Sequence, residues 1–350
     1  MLEPLPITVV VPAYNAAPYL AAALESVRRQ SAPAQEIIVV DDGSTDDTVA
    51  IARKFGTRVI TGINRGVAHA RNVGIRASRT PWIAFLDADD LWSTDRLERQ
   101  WQARAAAPAA LVVATDYRCL LDGRVVVDAV LPTMAPYRRL SRQTVAPNVT
   151  LVRGRDLSRA FVDFGNFVPP STLLVDRRIF GEFDEYFAIR ESLPDGGAEF
   201  DVAENYEWYL RVLRHTDVLF VERPLLDYRK HATSLSANSA RQKHGDVVLG
   251  ELIEATPERY VPGTSEAFAR ARPLHLYEAG LRYLRAGDVV RARTMFVRAS
   301  RAGHQRAPLF AAATSAFASA SLGRRLFTTI FAIWRTHVRP LVRRSPRARA

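Results

Sequence analysis

The sequence is poor in cysteine, with Cys119 as its one example among 350 residues. A single cysteine cannot form a disulfide within the chain or a zinc site built from cysteines, and this scarcity is typical of proteins in a reducing compartment. We therefore interpret Cys119 as a small, buried apolar residue.

The sequence also lacks long apolar runs. Residues 1–7 contain no basic stretch followed by an apolar one, so we predict no signal peptide. The apolar segments 309–322 and 326–334 are each shorter than the roughly 20 residues that a membrane-spanning helix needs. Either segment fits an amphipathic helix at a membrane surface or a helix packed on the protein.

Acidic residues are missing from the end of the chain. Residues 323–350 hold eight arginines and no acid, and without these arginines the net charge of +11 would fall to +3. The excess positive charge is therefore mainly a property of this tail, and a basic tail is typical either of peripheral contact with a membrane surface or of a contribution to solubility. Basic and aromatic residues do not alternate as they do in nucleic-acid-binding segments, so we expect no nucleic-acid partner.

Apolar periodicity is clear in the first 90 residues. Four apolar strands alternate with three amphipathic helices: strands at 7–11, 36–40, 58–61 and 82–86, and helices at 18–30, 48–55 and 67–78. This alternation predicts a doubly wound α/β sheet, with helices flanking a mostly parallel sheet. Ser44 and Asp47 have the spacing of a capping box before the second helix.

Polar residues follow the predicted strands at the positions where ligands bind in such sheets, just past the carboxyl ends. They are Asn15, Asp41, Asp42, Asn64, Asp87 and Asp89. The second part of the chain is less regular, with a predicted strand at 111–115, a hairpin turn at Asp122-Gly123 and a helix at 199–215. Residues 274–303 predict two helices around Gly287-Asp288 and resemble one tetratricopeptide hairpin. We expect an α/β domain over 1–240 and a helical extension over 241–350.

The acidic cluster FLDADD, residues 85–90, is the sharpest chemical feature. If the chain stays extended there, the carboxylates of Asp87 and Asp89 point to one side. Mg²⁺ and Mn²⁺ favour a few carboxylates together with phosphate oxygens, and such an ion can stabilise a departing diphosphate. The alternative is that Asp90 caps the next helix and the other acids are solvated.

Two further motifs support two interpretations each. In VVDDGSTDDT, residues 39–48, a carboxylate just past the strand either accepts hydrogen bonds from a base or ribose, or forms an Asx-turn with a helix cap. The second interpretation suits Ser44 and Asp47, whereas Asp42 has no evident structural role. In NRGVAHARNVGI, residues 64–75, Arg71 either neutralises a diphosphate or is a surface charge.

Together with VVVPAYNAAPYL and FLDADDLWSTDRL, these motifs resemble the family 2 glycosyltransferases in order and spacing. PPSTLLVDRRIFGEFDEYF, AENYEWYLRV and YRKHATSLS, in the second half, are similar to the acceptor-side motifs of that family. The resemblance covers roughly residues 6–236. It implies a GT-A fold and sugar transfer with inversion at the anomeric carbon.

Residue by residue, the resemblance implies a nucleotide-sugar site formed by Pro12, Tyr14, Asn15, Asp41, Asp42, Asn64, Arg71 and Asp87. It implies that Asp89 is the principal ligand of a Mn²⁺ or Mg²⁺ ion. His231 is expected beside the diphosphate or the metal ion, and Arg71 beside the phosphates.

The chain departs from the family at one position. The family usually has a Glu-Asp pair whose aspartate is the general base, but this chain has Glu204-Asn205. An amide cannot accept the proton. Either Glu204 is the base, or Asp201 or Glu207 replaces it, or the enzyme is slow, inactive or uses another nucleophile.

These features predict a glycosyltransferase that uses a nucleotide-diphosphate sugar, with UDP the first expectation and GDP or dTDP next, and a glycan or lipid-linked acceptor. We expect it in the cytoplasm, at the inner face of a membrane. A donor-binding pseudoenzyme or scaffold is the alternative that Asn205 favours. A nucleotidyltransferase is disfavoured because the loop PAYNAAPYL contains neither glycine nor a basic residue to hold a triphosphate.

Overall fold

The computed structural model describes residues 3–183, 186–187, 203–231 and 239–318. The chain divides into two compact units, one formed by residues 1–237 with 252–267 and the other by residues 238–251 with 268–350. Three predicted features lie outside the described residues: Asp201, the start of the helix expected at 199–215, and the basic tail.

The first unit begins with the predicted alternation of strands and helices. The elements are β1 (Leu5–Ala13), α1 (Ala17–Arg28), β2 (Ala34–Asp41), α2 (Thr48–Lys54), β3 (Arg58–Thr61), α3 (Val67–Ala77) and β4 (Trp82–Phe85). The apolar spacing that predicts α1 also gives its buried face, which contains Leu20, Leu24 and Val27. Gly74 allows α3 to lie close to β1, because a Cβ atom there would be 2.4 Å from Val10 Cγ1.

The rest of this unit is more irregular. Its elements are β5 (Leu91–Trp92), α4 (Arg96–Ala103), β6 (Val112–Leu121), β7 (Arg124–Val127), α5 (Ala135–Arg139), β8 (Arg142–Ala146), β9 (Val149–Val152), α6 (Gly154–Phe164), β10 (Leu174–Asp176), α7 (Arg178–Gly181), α8 (Glu204–Val212) and β11 (Val218–Lys230). The hairpin turn expected at Asp122-Gly123 joins β6 to β7, and both turn residues have positive φ.

The strands form one sheet with the order β3-β2-β1-β4-β10-β6-β11-β9-β8 among the described residues. The first four strands in this order are parallel where they pair, as predicted. The sheet as a whole is mixed, because β10 is antiparallel to both β4 and β6, while β6 and β11 are again parallel. The α/β class is thus confirmed, with parallel pairing limited to part of the sheet. The carboxyl ends of β1, β2, β3 and β4 share one edge.

The capping box predicted for α2 is wrong. The residue before α2 is Asp47, which makes no capping hydrogen bond. Asp46 accepts from the Thr48 amide instead, at 3.0 Å. Ser44 is turned away from α2 because its hydroxyl accepts from the Asn15 amide. Similarly, Asp90 does not cap a helix, since β5 follows it and the residue before α4 is Asp95.

The second unit is helical. The helices toward the end of the described chain are α9 (Ser239–Ala255), α10 (Thr264–Arg285), α11 (Val289–Arg301) and α12 (Ala307–Ala318). The predicted turn at Gly287-Asp288 lies between α10 and α11, and Asp288 caps α11 by accepting from the Arg291 amide. The core of this unit includes Leu276, Tyr277, Met295 and Phe296. Within the described part of the chain, no helix is both long and apolar enough to cross a bilayer.

Candidate active site

Two loops meet beyond the ends of β1 and β2. Asn15 follows β1 with a φ of 47°, and its side-chain oxygen accepts from the Thr45 amide at 2.9 Å. Asp46 accepts from the Ala17 amide at 3.0 Å. These bonds tie the loop after β1 to the loop after β2. They leave the ring of Tyr14 half exposed, while Pro12 is buried within β1.

Asp42 lies at this edge and orients a third loop. Its two carboxylate oxygens accept from the amides of Arg65 and Gly66, at 2.9 and 2.8 Å. Asp42 therefore fixes the start of α3, where Gly66 has a φ of 95°. Asp41 is buried and faces the Ser44 amide at 3.3 Å, while Asn64 is exposed on the loop between β3 and α3.

The acidic cluster after β4 contains carboxylates in three different environments. Asp87 is partly exposed, and its amide donates to the hydroxyl of Ser171. Burial and the charge of Asp87 raise the pKa of Asp89, while His231 opposes this rise. Asp90 is 1% exposed, and burial raises its pKa well above the usual range. A positive charge placed here would lower the repulsion among these acids.

Arg71, on α3, connects the acidic cluster to the second half of the unit. Its guanidinium donates to Asp87 Oδ1 at 2.7 Å and to Glu204 Oε1 at 2.8 Å. The residue is 2% exposed and its carbon Cζ lies 5.4 Å from the ring centre of Phe187. Arg71 is thus a buried cation between two carboxylates, which excludes the alternative that it is a surface charge. The two acids raise its pKa despite the opposing effect of burial.

His231 approaches the same cluster from the end of β11. Its Nε2 lies 3.0 Å from Asp89 Oδ2, and its ring stacks on Tyr19 of α1 with centroids 4.3 Å apart. Arg229 donates its backbone amide to Asp90 and its side chain to the carbonyl of Asp89. The end of β11 therefore holds the backbone and side chains of the acidic cluster in place.

Glu204 and Asn205 begin α8. Glu204 is 5% exposed, and burial raises its pKa to about 7 against the opposing effect of Arg71. Asn205 is partly exposed. Glu207, an alternative base in the sequence, is fully buried and pairs with Arg211 at 2.5 Å while it accepts from the Tyr260 hydroxyl. Glu207 therefore anchors α8 and is not exposed to an acceptor.

The structure brings together most of the sequence-predicted residues at one sheet edge. Arg71 joins Asp87 to Glu204, and Asp89 lies beside His231. Tyr19, Arg229 and Ser171 contact these groups and were missed by sequence reasoning. Tyr19 and Arg229 lie inside the quoted motifs, so the motifs gave a signal for them. Ser171 also lies inside a quoted motif, but nothing in the sequence PPSTLL gives a chemical reason to select this serine.

The residues present suit a hard divalent cation with incomplete protein coordination. Asp89 Oδ2 and His231 Nε2 are close enough to share one ion, and the surrounding carboxylates are electrostatically crowded. In the described part of the chain, no group of three or more His, Cys, Asp or Glu side chains is arranged to hold a metal. Such a pair is compatible with Mg²⁺ or Mn²⁺ only if ligand oxygens or water complete the shell.

Comparisons with known proteins show which chains are similar to this one. Residues 8–150 match the sequence model described as glycosyl transferase family 2. The chain is 41% identical over 122 residues to the succinoglycan biosynthesis protein ExoO of Rhizobium meliloti. The match covers 34% of this chain and 35% of that protein. The chain is 28% identical over 159 residues to WfgD of Escherichia coli, named as a UDP-Glc:alpha-D-GlcNAc-diphosphoundecaprenol beta-1,3-glucosyltransferase; the match is 44% of this chain and 62% of that protein.

Among solved structures, TarS of S. aureus is similar with a TM-score of 0.52 and 17% identity, over 87% of this chain and 50% of that one. This likeness supports the predicted GT-A fold. The sequence matches are shorter, since the chain spans 35% of ExoO and 40% of a second curated relative, the putative teichuronic acid biosynthesis glycosyltransferase TuaG of Bacillus subtilis.

Proposed function

From the premise that residues 8–150 belong to the family 2 glycosyltransferases, we propose that this protein transfers a sugar from a nucleotide-diphosphate sugar to an acceptor hydroxyl with inversion. The observation that carries the proposal is the continuous link from Asp87 through Arg71 to Glu204. This link joins the sheet edge where a donor would bind to the helix that would face an acceptor.

On the donor side, the chain supplies rigid loops and oriented carboxylates. We assign the base and ribose to the edge formed by Asp41 and Asp42, next to the exposed ring of Tyr14. Because both oxygens of Asp42 accept from the amides of residues 65 and 66, its part is mainly to shape this pocket. Asp87 would contact the ribose while its Oδ1 accepts a hydrogen bond from Arg71.

Arg71 contacts two carboxylates, and its expected place beside the phosphates stays a prediction. It is buried and pairs with two carboxylates through Nη1 and Nη2, so its charge helps to hold Asp87 and Glu204 at a fixed separation. Preorganised groups of this kind avoid rearrangement during the reaction.

Asp89, with His231 beside it, would hold Mn²⁺ or Mg²⁺, and such an ion when bound supplies charge stabilisation for the departing nucleotide diphosphate. Two contacts would hold these residues in position. Arg229 donates to the carbonyl of Asp89, and the ring of Tyr19 stacks on His231.

On the acceptor side, Glu204 is the group that we assign as proton acceptor. A pKa near 7 suits a general base at neutral pH. The acceptor hydroxyl would attack the anomeric carbon from the face opposite the diphosphate and release its proton to Glu204. Glu207 is unsuited because it is fully buried and both of its carboxylate oxygens accept from Arg211, one of them also from the Tyr260 hydroxyl, whereas the bond from Arg71 engages only Oε1 of Glu204.

A second candidate is a donor-binding pseudoenzyme or scaffold, which the amide at Asn205 favours. In that case nucleotide binding would persist and transfer would be absent. The two candidates share the donor site and differ only in the fate of the acceptor proton.

The relatives guide the choice of substrates. The name of WfgD describes a UDP-sugar donor and a lipid diphosphate acceptor, and that of ExoO describes polysaccharide biosynthesis. We therefore place UDP before GDP and dTDP, and a glycan or lipid-linked acceptor in the synthesis of a surface glycan. Such an acceptor would place the protein at the cytoplasmic face of a membrane, with its basic tail as a peripheral contact.

The test is a thermal-shift titration with UDP, GDP, dTDP and their sugars, with and without Mn²⁺. A ligand at 100 times its Kd stabilises a protein by about 2.7 kcal/mol. We expect one nucleotide to stabilise the chain in a Mn²⁺-dependent way, and Asp89→Asn to abolish this effect. Asp163→Asn, an exposed acid on α6, is the matched control and should leave it unchanged. No response to any nucleotide would refute the donor site.

A further inference from the structure

The two units carry opposite net charge. The first unit contains 29 Lys and Arg residues against 33 acids, a net charge of −4. In the second unit, residues 238–251 and 268–318 alone contain eleven Lys and Arg against four acids, a net charge of +7. The basic character is therefore strongest in the last 28 residues but also extends through the helices before them.

The charge is organised on α11. Its buried residues are Val289, Ala292, Met295, Phe296 and Ala299, which form one stripe toward the core. At 100° per residue, the opposite side of this helix presents Val290, Thr294, Val297 and Arg301, with Arg293 at one flank. We call these five residues the α11 face. No acid occurs between Val289 and Arg301.

The α11 face combines arginine with exposed apolar side chains. Val290 is 69% exposed, and Arg293 and Arg301 are exposed as well. Arg293 donates to the neutral hydroxyl of Ser315 on α12 at 2.9 Å, so this bond leaves its charge uncompensated. Leu309, near the start of α12, is 74% exposed. Val290 thus exposes apolar surface on the same helix as these arginines, whereas Val297 is only partly exposed.

We propose that the α11 face docks on the anionic surface of a lipid bilayer. Arginine beside small apolar residues suits the headgroup region, where the guanidinium meets lipid phosphate and the apolar groups enter the acyl boundary. Nucleic acid fits less well, because Tyr277, Tyr283 and Phe296 are buried in the core of the unit and cannot stack on bases. The proposal uses residues outside the donor site and does not depend on sugar transfer.

The experiment measures binding of the full chain to sedimented vesicles of phosphatidylcholine alone and of phosphatidylcholine mixed with phosphatidylglycerol. The test variant is Arg293→Gln with Arg301→Gln. The charge-matched control is Arg155→Gln with Arg159→Gln, two exposed arginines on α6 of the first unit. Each pair is compared in the natural chain and in a full chain whose eight tail arginines are replaced by glutamine, so that the tail cannot mask the face.

We expect binding only to the phosphatidylglycerol vesicles, and binding that weakens as salt is added. The test variant should bind about fivefold more weakly for each arginine removed, whereas the control should bind like its parent. Val290→Ser should weaken vesicle binding but leave binding to dextran sulfate, a soluble polyanion, unchanged. Circular dichroism checks that every variant keeps its helices.

Equal vesicle binding by the test and control variants would overturn the proposal, because it would show that binding depends on the net charge of the protein and not on the α11 face. Loss of dextran sulfate binding together with vesicle binding in the arginine variant, with no effect of Val290→Ser, would also overturn it. That result would identify the partner as a soluble polyanion.

Discussion

Arg71 and Glu204 form a buried ion pair across 133 residues of sequence, with Nη1 and Oε1 2.8 Å apart and side chains 3% and 6% exposed. The pair links α3, in the regular α/β part of the first unit, to α8 in its irregular part. The stability of the site should therefore depend on this contact more than on any surface ion pair.

Replacing Arg71 with alanine should lower the free energy of unfolding by about 3–5 kcal/mol, because Glu204 would stay buried without a counterion. Urea denaturation at neutral pH measures this loss. The matched control is Arg58→Ala, which breaks an Arg58–Glu36 pair whose arginine is 44% exposed and should cost about 0–1 kcal/mol. Equal losses in the two variants would contradict a special role for the buried pair.

The pH dependence of the free energy of unfolding should reveal the titration of Glu204. Burial raises its pKa from 4.5 to about 7 in the folded chain, so the folded state binds more protons than the unfolded state between these values. The stabilisation from the protonated form is therefore complete below the unfolded pKa and is lost as pH rises through about 7. We expect the free energy of unfolding to fall more steeply over this range in the natural chain than in Glu204→Gln.

Urea denaturation at a series of pH values tests this difference. The other buried acids are present in both chains, and they cancel in the comparison. Parallel curves for the two chains would show that Glu204 is already ionised throughout, held in that form by Arg71.

The identity of the base can be tested by two single substitutions. Glu204→Gln should lower kcat for sugar transfer by about 10²–10⁴-fold, the usual contribution of a general base. Asn205→Asp should change kcat by less than about tenfold, because Glu204 already accepts the proton. Transfer is measured with the donor found by thermal shift, and unchanged nucleotide binding in both variants is the control. A gain of 10²-fold or more with Asn205→Asp would instead support the pseudoenzyme.

Tyr19 should influence metal binding without contacting the metal. Its ring stacks on His231, which lies beside Asp89, so Tyr19→Leu should raise the Mn²⁺ concentration needed for the nucleotide-dependent thermal shift by about tenfold. Tyr19→Phe keeps the stacked ring and should behave like the natural chain. If the two variants need the same Mn²⁺ concentration, the ring does not position His231.

Gly154 should tolerate no side chain. A Cβ atom there would lie 2.4 Å from the carbonyl oxygens of Leu213 and Thr216, both of which belong to backbone that cannot move aside cheaply. Gly154→Ala should lower the free energy of unfolding by about 1–3 kcal/mol, the usual cost of overpacking. Gly181→Ala is the control, because nothing lies within 4 Å of its Cβ position. Comparable unfolding midpoints would mean that the start of α6 relaxes.

The sequence by itself determined the first four strands, the three helices between them and the edge where polar residues gather. The helices follow from apolar side chains at helical spacing and the strands from short continuous apolar runs, because both patterns must be buried in a core. Asp42, Asp87 and Asp89 could be placed at one edge since parallel strands end together. The resemblance to family 2 glycosyltransferases could be recognised in the same part of the chain, because four of its motifs include the loops that follow these strands.

Only the tertiary structure decided which partners these residues have. Asp42 accepts from two amides of the loop before α3, Ser44 turns toward Asn15 rather than capping α2, and Arg71 is buried between two acids. The antiparallel strand β10 could not be predicted from the sequence either, because a three-residue strand has no measurable period. Partners of this kind depend on distances between segments that are far apart in sequence, such as Asp89 and His231, 142 residues apart, and local periodicity carries no information about such distances.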